Sequence, residues 1–185
     1  MKSYVEIGLE SATLLVNHGP VVLVSSRDER GSYDIAPVAW NCPVGKNPPR
    51  LIIVVGKKHK TCENITATGE FTICVPHVSQ AEMVRETGSV SGREIDKFDS
   101  MNIEAFTGSS VDAMIPEGCI GYLECKVEKI IDGGHVDIIA AKALRAVVDK
   151  EAFEGRLLVE KEAGKTIHHL GDKIFAVPAD EVLDT

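Results

Sequence analysis

The stretch GYLECKVEKIIDGGHVDIIAAKALRAVV, residues 121–148, carries the strongest structural signal of the chain. Its first half alternates apolar with charged side chains over residues 123–128, a period of two that is typical of a strand with one buried face. Its second half, residues 135–148, is mostly apolar or small. The tight-turn signal Asp132-Gly133-Gly134 lies between the halves, so the stretch predicts a long antiparallel β-hairpin.

Shorter apolar runs on both sides of the hairpin predict further strands. They are residues 21–24, 35–44, 51–55, 71–75, 157–159 and 173–177. Two short helices are predicted, one over residues 61–68 before Gly69 and one that begins at the capping-box pattern Ser79-Gln80-Ala81-Glu82 and ends at Gly88. About eight strands without βαβ crossovers predict a mainly β fold with a few short helices, an antiparallel barrel or sandwich.

The composition is typical of one globular domain over residues 1–185, with 44% hydrophobic and 26% charged residues. An excess of 28 acidic over 20 basic residues disfavours a nucleic-acid partner. No apolar run reaches the roughly 20 residues that span a bilayer, so no membrane partner is expected. Residues 1–6 lack the apolar core of a signal peptide, which predicts a cytoplasmic location. Five cysteines without C-x-x-C spacing predict free thiols and no metal site.

The densest basic cluster of the chain is Gly56-Lys57-Lys58-His59-Lys60-Thr61, between a predicted buried strand and a predicted helix. Exposed backbone amides at a helix start, three lysines and a threonine hydroxyl together make a phosphate cradle. The alternative is a solvated loop whose lysines only keep the surface soluble.

A second feature is the run around the only tryptophan, Asp34-Ile35-Ala36-Pro37-Val38-Ala39-Trp40-Asn41-Cys42. Small side chains on a strand let a flat ligand approach the backbone, whose amides can bond the polar edge of the ligand. The alternative is a tryptophan that packs in the core between sheets. Cys42 lies beside the residues that a flat ligand would approach, and it is either a redox thiol or a small buried packing residue.

Several motifs follow one another in a fixed order along the chain. They are Gly19-Pro20-Val21-Val22, Ala36-Pro37-Val38-Ala39-Trp40, Asn47-Pro48-Pro49, His59-Lys60-Thr61-Cys62-Glu63-Asn64-Ile65, Thr68-Gly69-Glu70-Phe71 and Gly92-Arg93-Glu94-Ile95-Asp96-Lys97-Phe98. This ordered set resembles the flavin reductase-like, FMN-binding split-barrel family, which includes the flavoredoxins. The resemblance implies an antiparallel Greek-key split β-barrel. Two departures stand out, Asp34 where the family commonly has Asn and Ala39 where it commonly has Ser.

The resemblance also implies that FMN binds at a homodimer interface. The phosphate is then expected near Lys58, His59, Lys60 and Thr61, and the isoalloxazine ring along Val38, Ala39, Trp40, Asn41 and Cys42. Asn64 either contacts the phosphate or braces the loop from the helix. An acid at position 34 is expected to repel an anionic cofactor.

Two later segments are candidates for the rim of the site, contributed either by the same chain or by the second subunit. They are Asp96, Lys97 and Phe98, and the pair His168 and His169. The alternatives are an exposed surface ion pair for the first segment and a polar turn before a strand for the second. Adjacent residues of a strand point to opposite faces, so no metal site is predicted for the two histidines.

The function implied is that of an FMN-dependent oxidoreductase of the flavin reductase-like type. Because the flavin carries the redox chemistry, no side chain is predicted to be catalytic. Two behaviours occur in the family, NAD(P)H:flavin reduction and flavoredoxin-like electron transfer from a ferredoxin-type donor. The alternative is a non-catalytic split-barrel module that binds a phosphate-bearing ligand or a partner protein.

Overall fold

The computed structural model describes residues 9–16 and 19–183. Its strands, in chain order, are β1 (Val22–Arg27), β2 (Tyr33–Val38), β3 (Asn41–Lys46), β4 (Pro49–Gly56), β5 (Glu70–Val75), β6 (Ala105–Thr107), β7 (Met114–Pro116), β8 (Gly121–Asp132), β9 (Val136–Val148), β10 (His168–Gly171) and β11 (Ile174–Ala176). The α-helices are α1 (Lys60–Thr68), α2 (Ala81–Ser89) and α3 (Lys97–Ser100). Short 3-10 turns cover Leu9–Leu15, Val78–Gln80 and Glu162–Gly164.

Seven strands form one antiparallel sheet in the order β2-β1-β5-β8-β9-β4-β3. The predicted hairpin is its centre, because β8 and β9 pair along nearly their whole lengths. The edge strands β2 and β3 are consecutive in the sequence and are joined by Ala39 and Trp40 alone. The sheet therefore curls so that the bend joins its two edges, and the Val54 amide, which donates to the Trp40 carbonyl at 2.9 Å, extends the β3–β4 pairing up to the bend. The sheet is not closed elsewhere, which is the split-barrel architecture that the sequence predicts.

Both faces of the sheet are buried, and β1 shows how its sequence serves them. Val22 and Val24 face one apolar cluster, to which α1 also contributes, whereas Leu23 faces a second cluster beneath α2 and α3. The uninterrupted apolar run of β1 is the pattern expected of a strand that is covered on both sides. Each fully buried aliphatic or aromatic side chain of this kind contributes about 1.5–3 kcal/mol.

The elements next to the bend position the residues discussed below. Helix α1 begins four residues after β4 ends and closes at Gly69, whose φ of 71° lies in the left-handed region that glycine favours. Helix α2 packs against β2. No helix within residues 9–16 and 19–183 combines the length and the apolar character needed to cross a membrane. Residues 1–6, on which the location was predicted, lie outside these ranges.

Several predicted elements differ from the structure. The run 35–44 is interrupted at the bend, because the chain leaves one sheet edge and enters the other there. Residues 157–159 form no strand, and only an isolated bridge joins Leu157 to Phe153. The capping box is formed by His77 and Gln80, two residues earlier than the predicted Ser79 and Glu82. The alternative of a polar turn at His168 and His169 was wrong, because both residues lie in strand β10.

Candidate functional site

The basic loop lines a cavity of about 250 Å³ beside β2. The Lys58 and His59 side chains are exposed there, and the His59 ring lies over Gly56. His59 is the N-cap residue of α1, and no side chain caps the first-turn amides of this helix. The first amides of a helix have no intrahelical partner, so this end of the cavity offers donors as well as positive charge.

The opposite wall of this cavity is the last turn of α2 together with the loop that follows it. Gly88 lies against Pro37, and a Cβ at position 88 would come within 2.8 Å of the Pro37 ring. Gly92 lies against Asp34, and a Cβ at position 92 would overlap the Asp34 carboxylate. The two glycines therefore let the loop approach β2 closely enough to form a narrow cleft.

A buried ion pair forms the floor of the cavity. Asp34 and Lys97 have side chains that are 2% and 3% exposed, and the Lys97 Nζ lies 3.0 Å from the Asp34 Oδ1. Lys97 also donates to the Ile35 carbonyl at 2.7 Å. The Thr61 hydroxyl donates to the other Asp34 oxygen at 2.9 Å. Asp34 thus ties together β2, α1 and the first residue of α3.

The remaining basic groups of this region are paired with acids. The Lys60 Nζ lies 3.2 Å from Asp28 and 3.1 Å from Glu63. Partial burial lowers the pKa of Lys60, but the hydrogen bonds to Glu63 and Asp28 outweigh it and the pKa is raised overall. Arg93 binds Glu63 at 2.6 Å and donates to the Lys58 carbonyl. The hydrogen bonds that Glu63 accepts from Arg93 and Lys60 lower its pKa.

The bend between β2 and β3 lines a second cavity, of about 260 Å³. Trp40 is 47% exposed on this cavity, so the expectation of a core tryptophan was wrong. The side chain is exposed because it lies where the chain crosses between the two sheet edges, outside both apolar clusters. His59 and His169 complete the rim of the cavity.

A third cavity of about 680 Å³ extends from the bend toward β11. Its walls are mainly apolar, with Arg85, His169, Asp172 and Lys173 at polar positions. Pro37 lines all three cavities, and each pair of cavities shares at least one further residue. They form one groove, called here the Pro37 groove, which is cationic at one end and apolar at the other.

The structure brings nine of the predicted site residues to this groove. They are Val38, Ala39, Trp40, Lys58, His59, Lys60, Thr61, Lys97 and His169. Lys97 reaches it as a buried side chain, so the alternative of an exposed surface pair with Asp96 was wrong. His169 bonds the Asp172 carbonyl at 3.0 Å and packs against the Phe175 ring.

Asn64 and Asn41 lie near the groove but do not line its three cavities. Asn64 is fully buried and donates to the Ser26 hydroxyl at 3.3 Å, so it braces α1 against β1. Asn41 donates to the carbonyls of Pro20 and Val38 and holds the bend.

Four other predicted residues also lie off the three cavities. Asp96 caps α3 by accepting from the Asp99 amide, and Phe98 packs in the second apolar cluster. His168 contacts the Thr166 hydroxyl. Cys42 is exposed on β3, so the expectation of a buried packing residue was wrong.

Sequence reasoning did not predict the far wall, residues 87–92, which comprises the end of α2 and the loop after it. Its run of small residues, Thr87-Gly88-Ser89-Val90-Ser91-Gly92, was the available signal. Asp34 was noted as a departure from the family pattern, but its partner Lys97 stands 63 positions away. Nothing local in the sequence joins the two residues.

Comparisons with known proteins agree with this fold. The family model described as flavin reductase like domain matches residues 16–168. An uncharacterized protein of Escherichia coli, YddH, is 34% identical over 186 residues, with 98% of each chain covered. An NADH-dependent FAD reductase of Streptomyces globisporus is 26% identical, with 56% of each chain covered.

A solved structure extends the comparison to three dimensions. The FMN-binding domain of a flavin reductases-like enzyme from Shewanella baltica is 27% identical. The match covers 97% of this chain and 96% of that one, with a TM-score of 0.80. The family match spans most of the chain, and the structural match extends over nearly all of it. This chain therefore belongs to the flavin reductase-like domain family.

Proposed function

We propose that the Pro37 groove binds FMN and that the chain is an FMN-dependent oxidoreductase, with NAD(P)H as the electron donor. Membership of the family supports a flavin-related redox role. The observation that carries the proposal is the polarity of the groove. One end offers lysine, imidazole and helix amides, and the other end is an apolar wall beside an exposed tryptophan. FMN has the same division between a phosphate and a flat ring.

The residues of the cationic end fit a phosphate. Lys58 and His59 hold it from the side of α1, with the first-turn amides of the helix. Lys60 and Thr61 act indirectly, because their side chains are bonded to acids and fix the course of the loop. The Asp34 carboxylate on the floor is the one group that opposes an anion, and Lys97 compensates it.

The residues of the apolar end fit a flat ring. Pro37, Val38 and Ala39 form its wall, and Trp40 and His169 lie at its rim. FMN, when bound, supplies the electron-transfer chemistry, so we assign no catalytic role to any side chain. The largest cavity continues past this wall and gives the nicotinamide donor a place beside the ring.

The experiment is an anaerobic visible spectrum of the protein in the presence of FMN, without desalting, before and after NADH or NADPH. We expect a bound flavin whose absorbance bleaches with a nicotinamide. Bleaching with dithionite alone would replace this proposal with the flavoredoxin-like alternative, an electron carrier supplied by a ferredoxin-type protein. A protein that binds neither FMN nor riboflavin would contradict the assignment of the groove and favour a non-catalytic binding module.

Three further expectations belong to the same proposal. The chain acts as a homodimer, as one domain, and in the cytoplasm. Exposed apolar side chains near the bend, among them Trp40 and Val44, favour a second copy there. Sedimentation at several protein concentrations, with and without FMN, tests the dimer, and a monomer that retains full FMN affinity would contradict a shared site. Cell fractionation tests the location.

A further inference from the structure

We propose that Asp34 weakens phosphate binding in the Pro37 groove, so that the chain holds FMN as an exchangeable ligand. This inference rests on the proposed function, because it concerns how the same groove binds its flavin. Asp34 lines the cationic cavity, although only 2% of its surface is exposed to solvent. A carboxylate at this depth repels an anion through a medium that screens charge less than water does.

The carboxylate of Asp34 neutralises the positive charge that Lys97 would otherwise contribute to the phosphate end of the groove. Lys97 lines the same cavity, and its side chain is 3% exposed. Its ammonium lies 3.0 Å from the Asp34 Oδ1 and also bonds the Ile35 carbonyl. Without the acid, a buried ammonium would face the phosphate end with its charge uncompensated. With the acid, the pair adds no net charge to the cavity.

The other side chains that line the cavity supply little uncompensated positive charge in place of Lys97. Thr61 donates its hydroxyl to Asp34, and Lys60 is held between Asp28 and Glu63. Among the described residues that line this cavity, Lys58 is the one lysine without a carboxylate partner. A phosphate dianion therefore meets one uncompensated lysine, which favours a flavin that dissociates readily and exchanges with free flavin.

The direct test is Asp34→Asn, which removes the charge and keeps an oxygen that accepts from Thr61. We expect the FMN dissociation constant to fall by at least about tenfold, the size of one charge-assisted hydrogen bond. Riboflavin has the same ring and ribityl chain but no phosphate, so its dissociation constant stays within about twofold of wild type because the ring wall is untouched. Both constants are read from titrations of flavin fluorescence.

Breaking a buried ion pair from one side leaves a buried charge and destabilises the fold. We therefore add Lys97→Met and the double variant Asp34→Asn with Lys97→Met. The double variant restores neutrality without the pair, and we expect it to bind FMN with the wild-type affinity. Lys97→Met alone keeps the acid and is expected to bind FMN about tenfold more weakly than the double variant. This comparison tests the inference even if Asp34→Asn does not fold.

Three results would overturn the inference. The first is equal or weaker FMN binding by Asp34→Asn while riboflavin binding is intact. The second is an equal gain for FMN and riboflavin, because the effect would then not act on the phosphate. The third is equal FMN affinity of Lys97→Met and the double variant. A wild-type protein that binds neither flavin would instead contradict the proposed function, so the two failures are distinguishable.

Discussion

Lys58 and Lys60 belong to the same basic loop but are in different electrostatic situations. Lys60 is held by Asp28 and Glu63, whereas the Lys58 side chain is exposed on the cavity. A sequence pattern cannot distinguish them, because the acid Asp28 lies 32 positions before Lys60 and reaches it through the fold. The contribution of a lysine to ligand binding depends on which other charges already bind it.

The two lysines give a matched pair of variants. We expect Lys58→Ala to weaken FMN binding several-fold or more, because it removes a charge that is available to the phosphate. Lys60→Ala is expected to have a smaller effect, since its charge is already compensated by two acids. Isothermal titration of both variants with FMN measures the difference. A larger loss for Lys60→Ala would contradict this assignment of the cationic end.

The cysteine thiols of the chain differ in their burial and therefore in their expected reactivity. Burial, with a further contribution from Asp137, raises the pKa of Cys62 to about 11, and burial raises the pKa of Cys125 to about 12. The thiolate is the reactive form, so both groups are protonated and inaccessible at neutral pH. Cys42, in contrast, is exposed on β3.

We therefore expect one rapid reaction of the folded protein with a disulfide reagent at pH 8, followed by slower ones. The variant Cys42→Ser removes the rapid phase, whereas Cys62→Ser leaves it unchanged. The measurement is the time course of thiol release at a constant reagent concentration. Persistence of the rapid phase in Cys42→Ser would show that a different thiol is the most accessible.

At the scale of elements, Glu124 on β8 fixes the loop between β6 and β7. Its side chain is fully buried, and it accepts from the amides of Ser110 and Val111 and from Arg145 at 2.9 Å. Burial raises the pKa of Glu124, but these hydrogen bonds outweigh burial and the pKa is lowered overall. A depressed pKa in the folded state means that the charged form stabilises the fold.

The stabilisation by Glu124 is therefore present above the pKa of the unfolded chain and is lost as the pH falls through the lower folded value. We expect Glu124→Gln to lower the free energy of unfolding by roughly 1–3 kcal/mol at pH 7. The difference from wild type shrinks as the pH is lowered toward acid. Urea unfolding of both proteins at several pH values measures it, and a constant difference would contradict a role for the charge.

The elements also differ in how far the sequence determines them. The hairpin of β8 and β9 and the helix before Gly69 were predicted because their patterns are local. The interruption at Trp40 was missed, because it depends on where the curled sheet brings its edges together. The same reason applies to the site. The basic loop was predicted from neighbouring residues, whereas the Asp34–Lys97 pair requires contacts across 63 positions.

At the scale of the whole molecule, the strand order creates the site. Because β2 and β3 are opposite edges of one sheet and consecutive in the chain, the bend between them must lie at the surface where the sheet meets itself. The loop after α2 approaches β2 on one side, and β10 and β11 lie on the other. A groove with two different ends is the result, and its polarity supports a ligand with a phosphate and a flat ring.

The central claim is that FMN binds in this groove, and Trp40 provides the most direct measurement. It is the only tryptophan of the chain, and it is exposed on the cavity at the bend. We predict that FMN quenches its emission in a saturable manner, with one flavin bound per chain, and that riboflavin quenches it with lower affinity because it lacks the phosphate. Trp40 emission that shows no saturable change with either flavin, in a protein that remains folded, would contradict the account.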